Sequence, residues 1–220
     1  MTRVLIIGGT GGIGSALGQA WQDSGAEVHS LSRRDGLDLR DAASVDRVMT
    51  KVTGRFDRMV IATGALSIDG AAPEKALSQI TAQAMADQFA VNTIGPALVL
   101  RHAGRLLPRD RPAVVAALSA RVGSIGDNRL GGWHSYRAAK AALNQIVRGA
   151  AIELARSHRH LACVALHPGT VATRFTAAYA GRHSTVPPSE AASNLIRVMD
   201  GLNPTQTGRF FDWSGTQVPW

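Results

Sequence analysis

Residues 132–147 read "GWHSYRAAKAALNQIV", in which Tyr136 is followed four positions later by Lys140. On a helix that spacing stacks the two side chains on one face, with their β-carbons about 6 Å apart. The chain has two tyrosines and three lysines, so the pairing uses scarce residues. A salt bridge would need a carboxylate. A phenol beside an ammonium is instead a means of ionising the phenol, which otherwise titrates near pH 10. The plainer alternative is a half-buried helix tyrosine next to a solvated lysine.

A second constellation lies at the N-terminus. "RVLIIGGTGGIGSAL" carries an aliphatic run into Gly8, Gly12 and Gly14, and then into helical spacing. Glycines in this array permit a tight turn, close approach of the backbone to a diphosphate and close helix–strand packing. The helix start offers amides to the anion. The next apolar run ends "SLSRRDG", placing Ser32, Arg33 and Arg34 where an NAD-binding fold carries an acid for the ribose 2′-hydroxyl. A guanidinium there suits a 2′-phosphate, so the expected cofactor is NADP(H), with Arg33 as its main contact.

Further strands are expected at "FDRMVIATG", "PAVVAALSA" and "LACVALHPG". Helices are expected at "IGSALGQAWQDSG", "ASVDRVMTKVTG", in one long stretch over residues 80–107, from the Tyr136 region through "AAIELARS", and at "SEAASNLIRVMDG". Strands alternating with helices predict a doubly wound parallel sheet of the Rossmann type, whose ligands bind beyond the carboxyl ends of the strands. No linker-like composition divides the 220 residues, so residues 1–220 read as a single domain.

Composition narrows the function. The formal charge of +8 is almost all arginine, spread singly along the chain, without a basic helix face interleaved with aromatics; nucleic acid is not an expected partner. No apolar run reaches the roughly 18 residues of a membrane span, and the start reads as a strand rather than a leader; a cytoplasmic location is expected. Cys163, the only cysteine, sits in an apolar run and is expected to be buried. His158 and His160 lack a carboxylate or cysteine at ligand spacing, so no metal is expected. His134 and His167 lie near expected site loops, where either could touch a substrate. Trp133 and the terminal "DWSGTQVPW" could wall a pocket or seal a subunit contact, and core or interface packing is the simpler role.

These motifs together resemble the short-chain dehydrogenase/reductase family in its standard short form, over nearly the whole chain. The glycine array is joined by Asp38–Leu39, by "ATG" at 62–64, by Asn92 in "VNTIGP", by Tyr136-x-x-x-Lys140 and by "HPGTVAT", in the family's order. "GSIGDNRLGGWHSYRAAKAALN" and "FFDWSGTQVPW" further resemble its C-factor and carbonyl-reductase branch. The resemblance implies that Tyr136 is the general acid or base and that Lys140 lowers its pKa while holding the cofactor ribose. Asn92 would shape its helix and anchor a water. Gly8, Thr10, Gly12, Ile13, Gly14, Asp38, Leu39, Thr63 and Gly64 would line the dinucleotide, and Pro168, Gly169, Val171 and Thr173 the nicotinamide. Hydride would pass between nicotinamide C4 and a small carbonyl or secondary alcohol. The substrate pocket would come from residues 174–190 and the C-terminal tail, and pairing into a homodimer or homotetramer is implied.

Three positions depart from the family. Ile7 replaces a threonine, and "IATG" replaces Asn-Asn-Ala-Gly. Ala120 stands where a serine usually helps bind the substrate carbonyl. Ser119, one residue earlier, Ser124, or no serine at all could fill that role; Ser119 would need a bend in the strand end, because neighbouring strand residues face opposite ways. The same departure leaves open a second function, a nucleotide-binding signalling or regulatory protein whose chemistry has lapsed.

Overall fold

Val4, Leu5, Ile6 and Ile7 have no solvent contact, because their strand is paired on both sides and covered on both faces. In the computed structural model, which describes residues 1–176 and 184–220, this is β1 (Arg3–Ile7). It runs parallel to β2 (Glu27–Leu31) and to β3 (Arg58–Ile61), with Val4 opposite Val28 and Arg58. β4 (Ala113–Leu118), β5 (Leu161–His167) and β6 (Phe210–Asp212) continue the sheet in the order β2-β1-β3-β4-β5-β6, all parallel. The order reverses between β1 and β3, which opens a crevice at their carboxyl ends. This is the single-domain Rossmann-type fold that the alternation of elements predicts.

Alternate strand residues feed two cores. Leu5, Ile7, Met59, Val115 and Cys163 pack with Val45, Val99 and Leu143 of α2 (Ala42–Met49), α4 (Gly95–Leu100) and α6 (His134–Ala155). Val4, Ile6, Val60, Ala116 and Leu166 pack with Leu17 and Leu195 of α1 (Gly12–Asp23) and α7 (Pro188–Asp200). Cys163 is buried as expected, and burial pushes its thiol up to about 12.

Two elements differ from expectation. A sixth strand exists where the sequence suggested only a tail: Phe210 is fully buried, and the chain turns back so that Val218 N–H donates to the Phe210 carbonyl at 2.8 Å. Three residues are too few to show a period. The stretch 80–107 is also not one helix. Thr81 caps α3 (Ala82–Phe89), a π-helical turn spans Ala90–Ile94, and α4 follows. A break at Arg101–His102 then leads to α5 (Ala103–Leu106). Among the described residues, no helix is long and apolar enough to cross a membrane, and no cluster of side chains could hold a metal ion.

Candidate active site

The turn after β1 is built from contacts that only glycine allows. Gly8 adopts φ +94°, and a β-carbon on it would stand 2.8 Å from Thr63 Cγ2. One on Gly14 would stand 2.3 Å from the Gly8 carbonyl oxygen, and one on Gly12 2.6 Å from Thr173 Cγ2. The last contact matters most for function, since it brings the Pro168–Thr173 loop over the glycine turn. α1 starts with neither a side-chain cap nor an acid in its first turn, so its leading amides face the crevice unneutralised. Thr63 Oγ1 is buried without a hydrogen-bond partner, an orphan beside Gly8. A phosphorylated dinucleotide fits this cradle: its backbone is open to an anion, and one hydroxyl waits for a partner.

At the end of β2, Ser32 caps a short 3-10 turn over Arg33–Asp35. Asp35 Oδ2 accepts hydrogen bonds from Ser32 N–H at 2.8 Å and Ser32 Oγ at 2.9 Å, so the only acid of the turn is already engaged. Arg33 and Arg34 are exposed, and neither forms an ion pair among the described residues. Asp38 accepts from Arg40 N–H at 2.9 Å, and Leu39 lies where a β-carbon on Gly95 would be 2.5 Å away.

Tyr136 and Lys140 project from the first two turns of α6, and both are almost wholly buried. Lys140 Nζ donates to the Leu118 carbonyl at 3.0 Å and lies 5.9 Å from the Tyr136 ring centroid. Gly64 brings its backbone against both Lys140 and Asn92: a β-carbon there would stand 3.2 Å from Nζ and 3.0 Å from Asn92 Oδ1. Asn92 occupies the π-helical turn and has no solvent contact. Its Nδ2 donates to the Ala65 carbonyl at 2.8 Å and to Gln88 Oε1 at 2.7 Å, while Oδ1 accepts from Ala65 N–H at 3.1 Å. A single asparagine thus braces the loop that lacks the family's own asparagines. Thr93 Oγ1 donates to the Ala139 carbonyl at 2.7 Å and ties this turn to α6.

Burial dominates the electrostatics of the pair. Burial pushes the Tyr136 phenol above its ordinary value and Lys140 down to about 7. Desolvation favours the neutral form of both groups.

Both candidate serines have hydrogen-bond partners of their own. Ser119 Oγ donates to Asn144 Oδ1 at 2.6 Å. Asn144 is two residue-quartets beyond Tyr136, about 12 Å further along α6. Ser119 thus faces α6. Ser124 Oγ donates to the Pro219 carbonyl and accepts from Asp127 N–H at 3.1 Å, so it serves the tail. Neither hydroxyl hydrogen-bonds to Tyr136 among the described residues.

Pro168 and Gly169 follow β5, with Gly169 at φ +80° against the Trp213 ring. Val171 bridges to Val186, and Thr173 N–H donates to Thr176 Oγ1 at 3.2 Å. Trp133 and Phe175 flank the Tyr136 ring, with centroids 6.4 and 6.1 Å away. Part of the expected 174–190 pocket segment, residues 177–183, lies outside the described residues. His158 is structural, its Nε2 lying 3.1 Å from the Gly104 carbonyl. Sequence reasoning missed Gln88, Asn144 and Glu74, a buried acid at the start of α6. Asn144 and Glu74 act on distant partners and belong to no local pattern, whereas Gln88 stands four residues before Asn92, a helix spacing that could have pointed to it.

Comparison with known proteins agrees with this geometry. The family model described as Enoyl-(Acyl carrier protein) reductase, of the short-chain alcohol dehydrogenase type, matches residues 35–202. The chain is 30% identical to 1-hydroxy-2-glutathionyl-2-methyl-3-butene dehydrogenase of Rhodococcus sp. (strain AD45), with 100% of both chains covered. It is 39% identical to the C-signal protein of Myxococcus xanthus over 66% of this chain and 84% of that one. An NADPH-bound carbonyl reductase from chicken fatty liver superposes with a TM-score of 0.83 at 22% identity, covering 100% of this chain and 99% of the other.

Proposed function

The chain belongs to the short-chain dehydrogenase/reductase family and is an oxidoreductase of that type, and from this premise we propose that it is an NADP(H)-dependent reductase of small carbonyl compounds, or dehydrogenase of the corresponding alcohols. The observation that carries the proposal is the buried Tyr136–Lys140 pair, 5.9 Å from ring to amine, placed beside Asn92 and Gly64 at the mouth of the crevice.

NADP(H) would be held by Gly8, Thr10, Gly12, Ile13 and Gly14 at its diphosphate, by Arg33 at its 2′-phosphate and by Asp38 and Leu39 at its adenine. Thr63, Gly64 and Lys140 would meet its riboses, and Pro168, Gly169, Val171 and Thr173 its nicotinamide. When bound, the cofactor supplies or takes up the hydride. Tyr136 gives its hydroxyl proton to the carbonyl oxygen in reduction and takes it back in oxidation. Lys140 holds the donor's side of that exchange: as an ammonium it favours the phenolate left behind, and its neutral form is readily reached because burial has lowered its pKa. Asn92 fixes the loop that carries Gly64, and so the floor under the amine. Trp133 and Phe175 exclude water from the faces of the phenol.

A screen of ketones, aldehydes and secondary alcohols with NADPH and NADP tests this. The name of the Rhodococcus relative supports adding thioether-substituted alcohols, glutathione conjugates included. Turnover preferring NADP(H), lost in Tyr136→Phe with cofactor binding retained, is the expected result. Preference for NAD(H), or a tenth or more of the activity surviving in Tyr136→Phe, would overturn it. That neither candidate serine hydrogen-bonds to Tyr136 favours a second reading, a nucleotide-binding regulator; tight NADPH binding with no turnover across the screen would establish that reading instead. Pairing into a homodimer or homotetramer is part of the proposal and is read by light scattering.

A further inference from the structure

The helix that carries Tyr136 begins in an unusual way. Gly131, Gly132 and Trp133 are all left-handed, with φ +63°, +63° and +52°, and a tryptophan is seldom found in that region. Trp133 is the residue before the first turn of α6, yet its side chain does not cap the helix, and no acid lies in the first turn.

The missing cap comes from elsewhere in the chain. Glu74, in the stretch between β3 and α3, is only 7% exposed. Its Oε2 accepts a hydrogen bond from Ser135 N–H at 3.2 Å, and its Oε1 accepts one from the Ser135 hydroxyl. Its main-chain carbonyl accepts from Trp133 N–H. One residue thus holds the strained residue and the first turn of the helix at three points, 61 residues away in sequence from Ser135. On the other side, Arg137 Nε donates to the Gly131 and Gly132 carbonyls at 3.2 and 2.9 Å. Tyr136 sits between these two anchors, with the Trp133 ring edge-on to it at 67°.

A buried carboxylate is costly unless it is fully hydrogen-bonded, and a surface acid would cap a helix as well. Ser135 meets both oxygens of Glu74, and the helix N-terminus favours the negative charge. The geometry points to Glu74 as a positioning residue, which fixes the start of α6 so that the Tyr136 hydroxyl and the Trp133 ring hold one orientation at the crevice. This inference rests on Tyr136 being the proton donor proposed above.

Glu74→Gln and Glu74→Ala separate the roles. Glutamine keeps an acceptor for Ser135 N–H and a group within reach of the Ser135 hydroxyl; alanine keeps neither. With NADPH and the best substrate of the screen, Glu74→Ala should lower kcat at least tenfold, leave the NADPH Kd within twofold, and leave the protein folded by circular dichroism. Glu74→Gln should recover kcat to within threefold of the unsubstituted protein. The chain has two tyrosines, so ¹³Cζ-tyrosine NMR shows two signals, and the one lost in Tyr136→Phe reports Tyr136 directly. That signal should move in Glu74→Ala and stay in place in Glu74→Gln.

The NMR arm needs no substrate. A shifted Tyr136 signal in a protein that turns over nothing supports the positioning role while removing the proposed reaction. An unmoved signal with unchanged kcat in folded Glu74→Ala overturns the positioning role and leaves the reaction standing. Equal losses in the glutamine and alanine variants also overturn it, because the contacts would then matter less than the charge. Should Glu74→Ala fail to fold, Ser135→Ala removes only the hydroxyl contact and is read by the same signal and the same kcat, with no change in either counting against the role.

Discussion

The crevice has two walls made in opposite ways. The wall after β1 is main chain: Gly8, Gly12 and Gly14 are chosen for the side chains they lack, Gly14 against the turn itself, Gly8 against Ala62–Thr63 and Gly12 against Thr173. The wall at α6 is side chain: Tyr136, Lys140, Asn92 and Glu74 are all buried, and apart from Gln88 beside Asn92 the hydrogen-bond partners of Lys140, Asn92 and the Glu74 carboxylate lie 22 to 61 residues distant. The first wall tolerates nothing larger than hydrogen, yet carries no titratable group. The second should tolerate changes of size better than changes of polarity, because Lys140, Asn92 and Glu74 are each satisfied by one or two specific partners. In the proposed reading, binding the cofactor and moving a proton fall to different kinds of structure.

Substitutions on either wall should therefore fail differently. Tyr136→Phe should cost at least a hundredfold in turnover with NADPH affinity within twofold, measured by steady-state kinetics and fluorescence titration; a parallel loss of affinity would show that the two walls are not separable. Gly14→Ala forces a β-carbon to 2.3 Å from the Gly8 carbonyl, a main-chain contact that cannot swing aside. Loss of stability on the order of 3 kcal/mol is expected, together with loss of cofactor binding. A variant with an unshifted urea midpoint would contradict the rigidity of the first wall. Arg33→Ala should raise the NADP Kd about tenfold and leave the NAD Kd unchanged, since it removes one charge-assisted contact to a single phosphate.

A smaller effect belongs to Lys140. Its folded pKa, about 7, lies below that of an unfolded lysine, so between the two values the unfolded chain binds more protons. Stability should rise with pH from about 7 towards 10, and Lys140→Met should flatten that rise in urea midpoints measured across the range. An unchanged slope would mean that the amine is better solvated than its burial implies. Least of all, Ser119→Ala and Ser124→Ala should each change turnover less than tenfold, since neither hydroxyl hydrogen-bonds to Tyr136; a larger loss in Ser119→Ala would show that it turns from Asn144 towards substrate.

The same contrast explains what could be read from the residues alone. The glycine turn was legible because a positive φ and a close approach leave their mark in residue type at the position concerned. Tyr136 and Lys140 were legible because helix geometry pairs residues four apart. Glu74 was illegible: "GAAPEK" is an ordinary loop composition, and nothing in it names a serine 61 residues ahead. β6 escaped because three residues cannot display a period, and the break in the 80–107 stretch because a π-helical turn has no local composition of its own.

That turn has a consequence for how the chain can change. Regular helix advances about 100° per residue, and a π-helical turn inserts one residue without restoring the phase. Gln88 just before the turn and Thr93 within it reach partners on different elements, Leu66 and Ala139. A single-residue deletion within Ala90–Ile94 would rewind the helix into continuous phase and rotate α3 against α4 by about a quarter of a circle. Length at this one place is as fixed as residue type elsewhere, so relatives that keep the asparagine should show gaps in the loops on either side of the helix and none within it.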